Sequence, residues 1–192
     1  MKKKLFVFLI GIIALGALSG CHFFWKGYHD RFNDYSLTVP RGWEIDTHRP
    51  PAALIVLSPR EGKNDKFREN LTVTLADLPD DEAKEVFWDT NKKIILTSLP
   101  GYKSQIKEGE MYAGFDRGQW LKFNLISKDI KITVKTVAWF KGLRVYSLTV
   151  TAETSKYHRY EKTFEKMLSS FSSSYVPPRV QSLSKPAQNV ER

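Results

Sequence analysis

Between residues 102 and 152 the chain reads as four consecutive strands, the last three separated only by short turn signals. This run constrains the fold more than any other feature. The stretches are 102–108, 115–126, 130–140 and 143–152. Alternation with period two places every second side chain on one face of a strand. Ser127-Lys128-Asp129 and Lys141-Gly142 have the length of tight hairpin turns, and Gly142 can supply a positive φ there. Strands joined by turns this short pair antiparallel.

The rest of the chain fits around that meander. "YSLTVP" alternates Tyr35, Leu37 and Val39 and stops at Pro40. A short piece at 43–45, a compact apolar run at 53–59 and an alternating run at 70–79 add further strands. Pro50-Pro51 marks a loop, and "REGKNDKFRE" is a charged one. A helix should begin near Asp80, where Asp80, Asp81 and Glu82 suit its positive end, and stop at Pro100-Gly101. Its apolar face is expected at Ala83, Phe87, Ile94 and Ser98, flanked by Val86 and Ile95. A last helix over 155–171 carries Tyr157, Tyr160, Phe164, Met167 and Phe171 as one stripe. Strands, helix, four strands, helix is the order of an α+β domain, a largely antiparallel sheet packed between helices.

The N-terminus is of another kind. Lys2, Lys3 and Lys4 precede an uncharged apolar run over 5–18, then Ser19 and Gly20, then Cys21, the chain's only cysteine. This is the layout of a secretory signal peptide, and the run is short for a membrane span, which needs ~20 apolar residues. Leu18-Ser19-Gly20-Cys21 resembles the bacterial lipobox, with cleavage after Gly20 and acyl chains such as palmitate carried on Cys21. An uncleaved anchor is the competing reading. His22 follows the cysteine where a diderm retention signal would carry Asp, so an outer-membrane address stays open. Phe23, Phe24 and Trp25 then lie beside the lipid, with Lys26 near headgroups. The expected division is a signal peptide over 1–20, a lipidated linker over 21–32, a domain over 33–172 and a disordered Ser- and Pro-rich tail over 173–192.

Tyr35-Ser36-Leu37-Thr38-Val39-Pro40-Arg41-Gly42-Trp43 resembles the opening signature of the PsbP-like superfamily. Asn70-Leu71-Thr72-Val73 is similar to its asparagine-led strand. Leu148-Thr149-Val150-Thr151-Ala152, with a helix ending Leu168-Ser169-Ser170-Phe171, is similar to its closing elements. The resemblance implies an α/β/α sandwich and an accessory or binding role. Relatives include the extrinsic PsbP subunit of photosystem II and the DcrB-like envelope lipoproteins, and no shared catalytic centre is carried over. A lipobox in place of a plastid transit peptide points to the bacterial lipoprotein branch.

The four histidines, His22, His29, His48 and His158, show no metal spacing, and no Gly-x-Ser-x-Gly occurs. Asp77, Asp80, Asp81 and Glu82 read as a helix cap before they read as an ion site. The net charge is +9, of which +6 lies from residue 21 onward, with no nucleic-acid motif beside it. One constellation stands out. Turns at Lys128-Asp129 and Lys141-Gly142 pair Lys122 with Lys135, Trp120 with Val137, Trp139 with Arg144 and Val137 with Tyr146. Leu121, Phe123, Leu125, Ile132, Val134, Leu143 and Val145 then share the core face. Trp120, Lys122, Lys131, Lys135, Trp139, Arg144 and Tyr146 share the other. That second face is either a binding face for an acidic protein, glycan or headgroup, or a solvated or helix-flanked face whose lysine stems cover aromatic rings.

The reading is a membrane-anchored envelope lipoprotein with a binding domain. It docks on an envelope protein or an anionic envelope polymer, and no enzyme activity, cofactor, metal or nucleic acid is expected. Two alternatives are an envelope hydrolase and a carrier of an apolar ligand held against Tyr157, Tyr160 and Phe164.

Overall fold

The structure, a computed structural model, describes residues 24–98 and 106–174. Cys21, Gly20 and the signal segment lie outside the described residues, as does the tail from residue 175. Among the described residues, ten strands and two helices follow one another. They are β1 (Trp25–Asp30), β2 (Tyr35–Pro40), β3 (Glu44–Asp46), β4 (Leu54–Leu57), β5 (Asn70–Asp77), α1 (Asp81–Ser98), β6 (Lys107–Ala113), β7 (Asp116–Ser127), β8 (Ile130–Lys141), β9 (Arg144–Glu153), α2 (Tyr157–Ser169) and β10 (Ser172–Ser173). Seven strands form one antiparallel sheet in the order β3-β4-β5-β9-β8-β7-β6, and β1-β2-β10 form a second. The α+β expectation holds: the large sheet has a helix on each face.

The two helices differ in how they are held. Tyr157, Phe164, Met167 and Leu168 of α2 are buried against Tyr35, Leu37 and Val39 of β2 and against Val137, Trp139, Tyr146, Leu148 and Val150 of the large sheet. On the opposite face Leu121, Phe123, Ile132 and Val134 form a smaller cluster, against which Trp88 and Ile95 of α1 pack. Asp80 caps α1 by accepting the Ala83 N–H at 2.7 Å, and Asp81 and Glu82 occupy its first turn.

Four expectations need correction. The stretch taken as linker, 21–32, contains β1, which pairs along its whole length with β2 from Trp25↔Pro40 to Asp30↔Tyr35. Its turn is held by Asp30, whose Oδ1 accepts the N–H groups of Phe32 and Asn33. At the other boundary Ser172 and Ser173 pair with β2, so the domain runs past residue 172. The strand expected at 102–108 runs from Lys107 to Ala113 instead, and residues 101–105 are outside the described set. The inward face of α1 is rotated: Phe87, Trp88 and Ile95 meet the sheet, while Val86 (51%) and Ile94 (56%) are exposed.

Candidate functional site

The one face singled out by sequence joins β7, β8 and β9. The β7–β8 register is as expected, with Lys122 opposite Lys135 and Trp120 opposite Val137, across a turn whose Lys128 and Asp129 both have positive φ. The β8–β9 register is not. The turn is Gly142-Leu143, so Trp139 pairs with Tyr146 rather than Arg144, and Val137 with Leu148 rather than Tyr146. The slip is two residues along β9, which leaves every side chain on the face assigned to it. Face membership therefore survives the error in pairing.

What the face does is different from a binding face. It is the side covered by α2. Trp139 and Tyr146 are fully buried, and Lys135 is 7% exposed. Phe171 stacks on Trp139 with centroids 5.0 Å apart and also meets Tyr146 and Tyr35. The Tyr146 hydroxyl donates to the Asn33 carbonyl at 2.9 Å, tying the β1–β2 turn to the large sheet. Gly118 makes room for Trp139: a Cβ there would lie 2.7 Å from the indole nitrogen. Gly109 does the same for Trp120, at 2.9 Å. A bulky residue at either glycine would push an aromatic ring out of the interior.

The two facing lysines are neutralised from above. Lys135 Nζ reaches Glu165 at 2.6 Å and lies 4.9 Å from the Trp120 ring centroid. Lys122 Nζ reaches Glu161 at 3.0 Å and lies 4.0 Å from the Tyr157 ring. Glu161 and Glu165 are one turn apart on α2, about the spacing of a cross-strand pair. Two like charges that would repel across β7 and β8 are thus each matched by a carboxylate of the covering helix. Arg144 binds Asp77 through two nitrogens at 2.7 and 3.0 Å, and this holds the Asp77 carboxyl below its ordinary pKa. Of the residues proposed as a binding face, Lys135, Trp139 and Tyr146 are buried on the α2 side, Trp120 and Lys122 are partly exposed there, and Arg144 stands apart at the start of β9, paired with Asp77.

His29, His48 and His158 are exposed. Among the described residues no group of three His, Cys, Asp or Glu is placed to hold a metal. Tyr157, Tyr160 and Phe164 pack on one another, and Trp43 packs on Tyr160 and Phe164, so the stripe is filled core rather than the wall of a cavity. A cleft of about 620 Å³ opens between α1 and the sheet, lined by Lys84, Glu85, Arg117, Gln119 and Phe140, among others.

A polar cluster that sequence reasoning passed over lies at the other end of α2. Lys156 meets Glu61 at 3.1 Å, Glu153 at 3.5 Å and Asp65 at 3.6 Å, and Tyr160 donates to Glu61 at 2.8 Å. These contacts pull the charged loop down onto the helix start. The hydrogen bond from Tyr160 and the Lys156 ammonium hold Glu61 below its usual pKa. Nearby Glu69 is fully buried, its Oε2 accepting from the Ser58 hydroxyl at 3.2 Å, and burial pushes its carboxyl up. The charged loop was legible, but not the single lysine that organises it.

No family model matches the chain, and no curated protein does. Solved structures do. LpqN of Mycobacterium tuberculosis, described as involved in cell envelope biogenesis, aligns with a TM-score of 0.59 at 14% identity over 77% of this chain and 89% of that one. The cyanobacterial PsbP of Synechocystis aligns with a TM-score of 0.51 at 14% identity over 78% and 92%. A Pseudomonas aeruginosa protein of unknown function gives 0.53 at 14% identity over 80% and 97%. The fold is PsbP-like. Among the described residues no helix is long and apolar enough to cross a membrane.

Proposed function

We propose that the chain is a membrane-anchored envelope lipoprotein of the DcrB-like kind, whose PsbP-like domain serves as an accessory binding module rather than an enzyme. The observation that carries this reading is the placement of Leu18-Ser19-Gly20-Cys21. The motif ends four residues before β1 of a domain that shares its fold with an envelope-biogenesis protein. Acyl chains on the Cys21 sulfur would anchor it, since burial is worth ~0.8 kcal/mol per CH₂ and two chains hold stably. The apolar packing of both sheet faces supports a module that works by its outer surface, docking on an envelope protein or an anionic envelope polymer. Labelled palmitate should enter the wild-type chain and not Cys21→Ala, and the variant should leave the detergent phase on partition. Crosslinking in intact cells should then recover a defined envelope component. An unlabelled wild-type chain would refute the anchor, and turnover of an envelope substrate without any partner would refute the accessory role.

A further inference from the structure

The charges of α2 are sorted by side. Its acids Glu161 and Glu165 reach toward the sheet and pair with Lys122 and Lys135. Of its bases, Lys162 and Lys166 are exposed, one turn apart, on the outside. Lys166 Nζ stands 4.3 Å from the ring centroid of Trp25, the first residue of β1. Arg41 arrives at the same place from the far end of β2. Its Nε donates to the Trp25 carbonyl at 3.4 Å and its backbone N–H to the Phe24 carbonyl at 2.8 Å. Lys26 follows Trp25, and Phe24 is 68% exposed. Arg41 and Lys166 therefore meet Trp25 at one corner of the domain, with Phe24 exposed beside it, Lys26 next along β1 and Lys162 one turn from Lys166 on the exposed side of α2.

That corner is also where the chain leaves toward Cys21. Only residues 22–24 separate the cysteine from β1, a reach of about 14 Å when extended. A lipid on Cys21 would hold this corner within one headgroup layer of the bilayer, not ~30 Å away as a longer linker would allow. We propose that Trp25, Lys26, Arg41, Lys162 and Lys166 form a docking surface for anionic phospholipid headgroups, which seats the domain on the membrane in one orientation. The proposal rests on the lipoprotein reading and adds to it a second attachment, made by the folded domain. The chemistry is complementary: an aromatic side chain suited to the interface, and cations each worth roughly a fivefold change in association with an anionic surface. The paired acids of α2, turned inward, do not oppose it.

The test uses the full-length, lipid-modified chain in vesicles of phosphatidylcholine alone or mixed with phosphatidylglycerol, each carrying a headgroup-level fluorescence quencher. Trp25 emission is taken as the difference from Trp25→Phe. Quenching should be stronger in the anionic vesicles. It should fall to the phosphatidylcholine level in the fourfold variant Lys26→Glu, Arg41→Glu, Lys162→Glu, Lys166→Glu, while the protein still floats with the vesicles. Lys162→Gln with Lys166→Gln, milder and fully exposed, should give a partial loss. Equal quenching in both lipids, or wild-type quenching in the variants, overturns the seat. So does a variant that keeps its seat but loses a crosslink to an acidic protein, because the surface then serves that protein. Failure of the anchor looks different: the wild-type chain does not float with either kind of vesicle, and the lipoprotein reading falls together with the seat.

Discussion

The two faces of the large sheet are both covered by a helix, yet only one of them is a dense core. Beneath α2, Trp139, Tyr146, Phe164 and Phe171 interlock with β2, and β1 and β10 extend the cover. Beneath α1 the buried set is four residues of β7 and β8, and the helix leaves Val86 and Ile94 in solvent. Farther along that face the side chains become hydroxyls: Thr72 lies opposite Thr149, which lies opposite Thr136. One face therefore buries a far larger apolar set than the other. The sharpest way to break this contrast is to truncate one aromatic on each side. Phe164→Ala should cost about 3–5 kcal/mol, the range for a large buried aromatic. Trp88→Ala, half-buried, should cost roughly half as much. Denaturant unfolding would measure both, and amide exchange should open α1 before α2. Equal costs would show that the faces are equivalent.

A second, smaller effect separates charge from packing on the dense face. Lys135 is buried while Glu165 keeps 39% of its side chain exposed. Glu165→Gln should cost about 2 kcal/mol, below the ~3–5 kcal/mol of breaking a fully buried pair, because water can still reach the lysine. Lys135→Met combined with Glu165→Leu should restore most of that loss, since the desolvation cost disappears together with the attraction. Urea midpoints of the single and double variants form the comparison. If the double variant is no better than Glu165→Gln, the pair contributes a net gain that apolar packing does not replace.

The legibility of these faces was uneven for physical reasons. Alternation assigned Leu121, Phe123, Ile132 and Val134 to one side and Trp120, Lys122, Lys135 and Trp139 to the other, because period two survives an error in pairing. The Leu121 side is the one expected as the core, whereas the larger core lies on the Trp139 side. Lysines and tryptophans on one face suggested a surface, but the paired glutamates lie on α2, and sequence does not show which strand face a helix will cover. The glycines that admit Trp139 and Trp120 lie in β7 and β6, and nothing local marks Gly118 or Gly109 as cradles. β1 was hidden because Gly27, His29 and Asp30 give it too little apolar character; it is a strand through its pairing with β2. The α1 stripe was misplaced by one residue because Val86, Phe87, Trp88 and Ile94, Ile95 offer two overlapping apolar faces.

The smallest expected effect tests a flaw in the dense face. Glu69 continues the strand pairing of β5 on the α2 side, fully buried beside the Ser58 hydroxyl. Burial raises its pKa, and the backbone, the Lys156 charge and Ser58 only partly offset this. A carboxyl whose folded pKa lies above its unfolded value holds its proton more tightly when folded. Its contribution therefore favours folding at low pH and is lost as the pH rises through the folded value. Asp77 and Glu61, with lowered values, act in the opposite sense: their contribution is present above the unfolded carboxylate range and lost as the pH falls. Glu69→Gln keeps the shape and removes only the titration, so the difference between variant and parent isolates this one group. The variant should melt higher than the parent at neutral pH. That gain should shrink as the pH is lowered toward the ordinary carboxylate range, where Glu69 of the parent is protonated. A variant that melts lower at neutral pH would mean that attraction to Lys156 outweighs burial. The dense face would then owe part of its stability to charge, and the contrast with the α1 side would be less one of apolar packing.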